Sequence, residues 1–212
     1  MRATIYGWEI VWPNPSGKAM SSYARLASAS STKMWRGISF ITLSTASLTM
    51  PCSRRRSIMN IFGLNPVVVF GTDEQKQRWL PPLISGADKA CFCVTEPNIG
   101  LNTTRLKTKA EKHGDHYIVS GQKIWISTAQ VTNKMLLLAR TAPLEQTGKP
   151  SQGLSLFYTD FDRQFVQAHE IPKMGRKAVD SNQVFIDGLK VPVADRIGEE
   201  GRGFEYILHG MH

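Results

Sequence analysis

Two short stretches hold the residues best able to do chemistry. In the first, Cys91-Phe92-Cys93-Val94-Thr95-Glu96-Pro97-Asn98-Ile99-Gly100, a strand-like run enters a turn. Alternation places Cys91, Cys93 and Thr95 on one face of the strand, and Phe92 and Val94 on the other. Pro97 and Gly100 would let the loop turn backbone N–H groups toward a ligand. Alone, this is also the pattern of an ordinary strand and its turn. The second stretch, Gly121-Gln122-Lys123-Ile124-Trp125-Ile126-Ser127, is more specific. Strict alternation puts Trp125 and Ser127 on one face, with Ile124 and Ile126 opposite them in a core. An indole beside a hydroxyl suits a flat heteroaromatic ligand, offering a ring to pack on and a group to reach a ring nitrogen. A lone strand tryptophan is, however, more often a core residue.

Other chemistries find no support. Gly198, Gly201 and Gly203 are not in the order or context of a dinucleotide-binding glycine loop. Cys91 and Cys93 lack a second pair of ligands and the five histidines are scattered, so no metal site is expected. Neither a nucleophile elbow nor a phosphate-binding P-loop occurs.

The elements that must position these residues are short. Asn65-Pro66 reads as a helix N-cap followed by proline at the first helical position, and that segment ends at Gly71. Thr72-Asp73-Glu74-Gln75 has the spacing of a capping box with two acids in the first turn. The following helix directs Trp79, Leu80 and Leu83 to a core, and Pro81-Pro82 is expected to break or restart it. Beyond Gly86 the texture is β, with strands expected at 90–95, 117–120, 123–127, 135–141, 154–159, 184–187 and 189–193. Turns are expected between several of them, including Ser120-Gly121 and Asp187-Gly188. Strands without intervening helices point to an α+β chain built on an antiparallel barrel or sandwich. Gly203 to His212 reads as the first turns of a helix.

The 212 residues carry a formal charge of +9, with 42% hydrophobic and 20% charged residues. Residues 1–57 hold eight Lys or Arg against the single acid Glu9, whereas 58–212 are nearly balanced. The basicity thus belongs to the N-terminal quarter, and no nucleic-acid-binding signature accompanies it. That quarter shows neither helical period nor alternation. Its Arg- and Ser-rich, acid-poor composition matches a mitochondrial transit peptide. Trp8, Trp12, Trp35 and a Pro-Asn-Pro turn instead suggest a poorly ordered tail or a stretch of altered reading frame or splicing. No apolar run approaches the roughly 18 residues of a membrane span. Cys52, Cys91 and Cys93 follow no secretory signal, so reduced thiols in a soluble, non-secreted protein are expected.

Together the motifs resemble the acyl-CoA dehydrogenase family. Its flavin-binding signature runs aromatic-Ala/Cys-x-Thr-Glu-Pro-x-Ala-Gly-Ser-Asp, followed later by Asn-Gly-x-Lys-x-Trp-Ile-Thr/Ser. Here the counterparts are Phe92-Cys-Val-Thr-Glu-Pro97 and Ser120-Gly-Gln-Lys-Ile-Trp-Ile-Ser127. Gly71 to Gly86, Lys173-Met-Gly-Arg176, Phe185 to Pro192 and Gly198 to Phe204 extend the likeness over about residues 58–211. The resemblance implies FAD as cofactor, with Phe92, Cys93, Val94, Thr95, Gly100, Leu101, Trp125, Ile126 and Ser127 along it. Thr95 would bond the pyrimidine side of the isoalloxazine, Trp125 would flank the ring, and Ser127 would reach toward N5. Where the family has Gly-Ser-Asp this chain has Gly100-Leu101-Asn102, and Leu101 cannot make the serine's bond to substrate.

The same likeness implies oxidation of acyl-CoA thioesters, electron-transfer flavoprotein as acceptor, a homo-oligomer, and a mitochondrial-matrix or cytoplasmic location. Its general base lies on a C-terminal helical domain, so no catalytic residue is expected in this chain, and Glu96 is expected to be structural. The expected organisation is an N-terminal segment (1–57), the end of a helical domain (58–88), a flavin-binding β-domain (89–195) and the start of a helix (196–212), with the C-terminal helical domain missing. An acyl-CoA oxidase and a non-catalytic, truncated flavin-binding fragment are the alternatives.

Overall fold

The computed structural model describes residues 2–5, 8–11, 65–175 and 178–209. Most of the expectation for residues 1–57 therefore lies outside the described residues. Within that stretch, β1 (Arg2–Ile5) and β2 (Trp8–Val11) pair antiparallel, Arg2 opposite Val11 and Ile5 opposite Trp8. They belong to a compact unit ending at Leu43, separate from the unit formed by Ser44–His212. The sequence reading had seen no alternation here, because a strand of four residues offers only two positions per face.

In the second unit, residues 65–70 form helix α1. Asn65 is not its N-cap. It already lies in the helix, and its buried Oδ1 accepts no hydrogen bond. Helix α2 (Asp73–Ser85) begins as its sequence dictates. Gln75 N–H donates to Thr72 Oγ1 at 3.2 Å, and Thr72 N–H donates to Gln75 Oε1 at 3.0 Å. A reciprocal cap of this kind is worth about 1 kcal/mol. Pro81 and Pro82 lie inside α2 without breaking it. The carbonyls of Gln77 and Arg78, deprived of partners, belong to exposed residues, where water can take their bonds.

Strands β3 (Ala90–Cys93), β4 (Lys109–His113), β5 (His116–Ile126), β6 (Lys134–Arg140), β7 (Leu154–Asp160), β8 (Val166–Glu170), β9 (Asn182–Pro192) and β10 (Arg196–Ile197) make one sheet. Its order is β10-β7-β6-β4-β5-β9-β8, with β3 also paired to β6. The α+β class stands, but the sheet is mixed rather than antiparallel. β3 and β4 both run parallel to β6, because each reaches it by a long connection instead of a hairpin. Nor does the sheet close into a barrel, since its terminal strands β10 and β8 do not pair with each other.

The two expected turns inside long strands lie on the two sides of one register shift. β5 and β9 each run eleven residues, with one irregularity between Val119 and Gly121 and another between Lys123 and Ile126. Gly188 (φ 67°) accommodates the first on β9, where its N–H donates to Ser120 Oγ at 3.0 Å. Glycine inside a strand often marks such a bulge or a close backbone approach, and both occur here.

Each face of β6 carries a core. Met135, Leu137 and Ala139 join Phe157, Tyr117, Val119, Val184, Ile186 and Val191 in the first of these. Leu136 and Leu138 face the helices with Trp79, Leu83, Tyr158 and, from helix α3 (Gly203–His209), Tyr206 and Ile207. Burying a side chain such as Leu83 contributes about 1.5–3 kcal/mol. Gln75 fastens α2 further, its Nε2 donating to the carbonyls of Ala194 and Arg196, both at 2.8 Å.

Candidate functional site

β3 delivers the first candidate segment. Cys91 and Cys93 share a face as alternation requires, their sulfurs 3.5 Å apart in the core with Met135 and Leu137, while Val94 faces the helical side and Phe92 packs against that cluster. Burial first, then the neighbouring Cys93, push the Cys91 thiol well above the ordinary thiol value, so it is held as an inert thiol. With Cys93, Val94 and Ile126 buried, only their main chain can meet a ligand. Thr95 is half-buried, and its side chain has no intramolecular hydrogen bond among the described residues.

Just beyond it, Glu96 is a structural hub. Its Oε1 accepts from Thr108 N–H (2.9 Å), Thr108 Oγ1 (2.5 Å) and Lys123 Nζ (3.0 Å), and Oε2 accepts from Lys107 N–H (2.7 Å). Lys123 is fully buried and completes its three bonds on the carbonyls of Val94 (3.2 Å) and Leu138 (2.8 Å). Burial alone would raise the Glu96 carboxyl, but the Lys123 charge, the Thr108 hydroxyl and the amides of Lys107 and Thr108 hold it below the ordinary carboxylate value. Burial in turn lowers Lys123, against the opposing pull of Glu96. This carboxylate is fully engaged as structure and is not free to move protons.

β5 delivers the second segment alongside the first: Ile124 N–H donates to Thr95 carbonyl at 2.9 Å. Here simple alternation fails. Two residues of β5, Ile124 and Trp125, oppose Gln183 alone on β9, and Trp125 takes a left-handed conformation (φ 62°). The extra residue carries the indole outward, 59% exposed, while Ile126 is buried and Ile124 half-buried. Trp125 therefore stands opposite Ile126 through a bulge rather than through an unbroken pleat. Thr128, β-branched, is left-handed too (φ 66°). Between them Ser127 begins a turn, its hydroxyl without an intramolecular partner among the described residues. It lines a cavity of about 360 Å³ with Lys173, Gly175, Val179 and Ser181.

Of the expected site residues, Ser127 alone borders that cavity. Gly100 and Leu101 border a larger one, about 1010 Å³, walled also by Arg105, Lys107, Lys109 and Arg140. Leu101 is wholly exposed at its rim. The Arg140 guanidinium, its charge disfavoured by burial, is spent on the carbonyls of Thr104, Leu106, Ala142 and Pro150.

The Ile124–Thr95 bond thus lays the Thr95 and Trp125 segments side by side, whereas Leu101 borders a different recess from Ser127. Sequence reading missed Lys123, Asp180, Asn182 and Arg163. Only Lys123 carried a signal: its register places it on the face of Tyr117 and Val119, where a lysine needs a buried carboxylate. No group of His, Cys, Asp and Glu among the described residues could hold a metal ion, and no described helix is long and apolar enough to cross a membrane.

Comparison with known proteins bears on the family of the chain. The family model described as the acyl-CoA dehydrogenase middle domain matches residues 91–189, and that of the N-terminal domain matches 39–87, upstream of the boundary expected at 58. The human very long-chain specific acyl-CoA dehydrogenase of mitochondria is 34% identical over 153 residues, 69% of this chain and 23% of that protein. An acyl-CoA dehydrogenase from Geobacillus kaustophilus superposes with a TM-score of 0.65 at 33% identity, over 69% of this chain and 38% of that one. Butyryl-CoA dehydrogenase from Megasphaera elsdenii gives 0.66 at 29% identity, over 73% and 40%. The chain spans well under half the length of each.

Proposed function

The chain belongs to the acyl-CoA dehydrogenase family, and from that premise we propose that its β-domain forms the flavin-holding wall of an enzyme that oxidises acyl-CoA thioesters at their α and β carbons and passes the electrons to an electron-transfer flavoprotein. The observation that carries the reading is an outward indole, Trp125, two residues before a Ser127 hydroxyl with no partner among the described residues, both on a strained turn. That pairing fits the flat ring of FAD, which when bound supplies the acceptor for a hydride. In this reading Trp125 covers one face of the ring. Ser127 and Thr95 offer hydroxyls to its polar edge, and the backbone of Val94 to Glu96 borders it. Glu96 and Lys123 hold that border still.

A carboxylate base is needed to take the α proton. Neither carboxylate bonded to these segments is suited to it. Glu96 accepts four hydrogen bonds, and Asp180 accepts backbone amides of the turn. Leu101, in place of the family's serine, removes one polar contact to substrate and leaves the acyl group unassigned.

The test titrates the purified chain with FAD and then with thioesters of differing acyl length. Uptake of flavin with a resolved visible spectrum, altered by a thioester, is the expected result. Protein that stays colourless at saturating FAD overturns the reading in favour of a non-catalytic polypeptide.

A further inference from the structure

Bulky and β-branched residues pay for a left-handed backbone, so a segment with one at each end persists only if its surroundings enforce it. Trp125 and Thr128 flank Ile126 and Ser127 in this way. The enforcement comes from two charged side chains at opposite poles of the turn 127–131. Asp180 takes its amides: Oδ1 accepts from Thr128 N–H at 2.9 Å and Oδ2 from Gln130 N–H at 3.4 Å. Arg163 takes carbonyls of the turn and of the residue just beyond it, donating through Nη2 to Ala129 (3.2 Å), Gln130 (3.0 Å) and Thr132 (3.2 Å).

Asn182, fully buried, completes the frame. Its Nδ2 donates to the Ile126 carbonyl (2.9 Å) and to Asp180 Oδ2 (2.6 Å), and its Oδ1 accepts from Gln130 Nε2 (2.8 Å). Asp180 sits between Val179 and Ser181, which line the same cavity as Ser127. One carboxylate therefore ties the cavity wall to the turn that presents the hydroxyl. The Ser127 carbonyl is already engaged by Thr128 Oγ1 at 2.6 Å, whereas the Ser127 hydroxyl has no partner among the described residues.

We propose that Asp180 and Arg163 are positioning residues that hold this turn, against the preference of Trp125 and Thr128, in the form that presents Trp125 and Ser127 to a flat heteroaromatic cofactor. The proposal rests on the flavin-holding role above and adds to it the device that preorganises the site. Neither residue touches the cofactor in this scheme. Each acts through the turn, with the carboxylate on N–H dipoles and the guanidinium on C=O dipoles.

The experiment uses the 212-residue chain with Asp180→Ala, Asp180→Asn and Arg163→Met, reading amide hydrogen exchange and FAD affinity by flavin fluorescence. Expected for Asp180→Ala is faster exchange confined to residues 125–131 and FAD binding weaker by about tenfold, which corresponds to ~1.4 kcal/mol. Asp180→Asn keeps an acceptor for Thr128 N–H and restores most of the affinity, whereas Arg163→Met reproduces the loss. Wild-type FAD affinity and visible spectrum in Asp180→Ala overturn the proposal, whatever the exchange shows. Exchange that accelerates throughout β5 and β9 also overturns it, by making Asp180 a residue of the fold alone. If Asp180→Ala does not fold, the same criteria apply to Arg163→Met and Asp180→Asn. Wild-type chain that takes up no FAD sinks the proposed function and this inference with it, whereas uptake unaffected by any variant sinks the inference alone.

Discussion

Lys123 and Glu96 form a buried ion pair in which every proton of the ammonium is used. Such a pair is a weak source of net stability but a strong penalty when half of it is removed. Lys123→Met leaves Glu96 buried without its counter-charge, and the expected loss is about 3–5 kcal/mol in denaturant unfolding. A loss below ~1 kcal/mol, the scale of an exposed pair, would show that the carboxylate finds water in the folded chain. The pair also sets the acid response. Glu96 titrates below its ordinary value of 4.5 in the folded chain, so its contribution is complete above pH 4.5 and is lost as pH falls through the lower folded value. Lys123 acts in the other sense. Its folded value lies below 10.5, so it subtracts stability at neutral pH, and that penalty fades as pH rises through the lowered value toward 10.5. The stability gap between the wild type and Glu96→Gln should therefore narrow below pH 4.5 in thermal melts. A gap that stays constant down to pH 3 would deny the carboxylate its charge-dependent role.

At the scale of elements, what could be read in the sequence depended on how far local chemistry decides local structure. The start of α2 was legible because a capping box needs only residues 72–75, and the structure forms it in full. β6 and β7 were legible because both faces are buried, which gives β6 the unbroken apolar run Met135–Ala139 and β7 the run Leu156–Tyr158. β4 and β8 were missed for the opposite reason: Lys109–His113 and Val166–Glu170 each bury a single residue, so no alternation shows. Gly121 and Gly188 were read as turns because glycine punctuates both turns and bulges, and only the partner strand separates the two. The bulge that exposes the Trp125 indole is a property of pairing with β9, which no local pattern shows. Gly121 offers a direct test of the bulge reading. A Cβ there would lie 2.7 Å from Thr108 Cα and 2.5 Å from Thr108 Oγ1, the hydroxyl bonded to Glu96. Gly121→Ala should cost about 1–3 kcal/mol, as overpacking does. In a double-mutant cycle with Glu96→Gln the two losses should fall short of additive, since both loosen Thr108. Strict additivity would place Gly121 outside the Glu96 network.

For the whole molecule, the question is whether helix α2 and the sheet behave as one folding unit, because the site's second core depends on it. The two family models that meet between residues 87 and 91 treat these parts as separate domains. The packing says otherwise. Trp79 meets Tyr158 of β7 edge to face, with ring centroids 5.1 Å apart, Leu83 is buried, and Arg78 pairs at 3.0 Å with Asp195, a carboxylate only 2% exposed. Asp195 also accepts from Thr159 Oγ1, and Gln75 reaches the carbonyls on either side of it. Burial raises the Asp195 carboxyl, so it is stabilised less by its partners than it is penalised by losing water, and it depends on α2 staying docked. Gln75→Ala removes both clasps together with the reciprocal half of the cap, leaving two carbonyls short of a donor. A cost of about 1–3 kcal/mol is expected. Because the helix lies over Leu136, Leu138, Leu156 and Tyr158, that loss should appear in β6 and β7 as well as in α2. Native-state hydrogen exchange checks this. Equal shifts in the opening free energies of α2 and β7 amides are the expected outcome, and a shift confined to α2 would make the helix an appendage whose loss leaves the sheet intact.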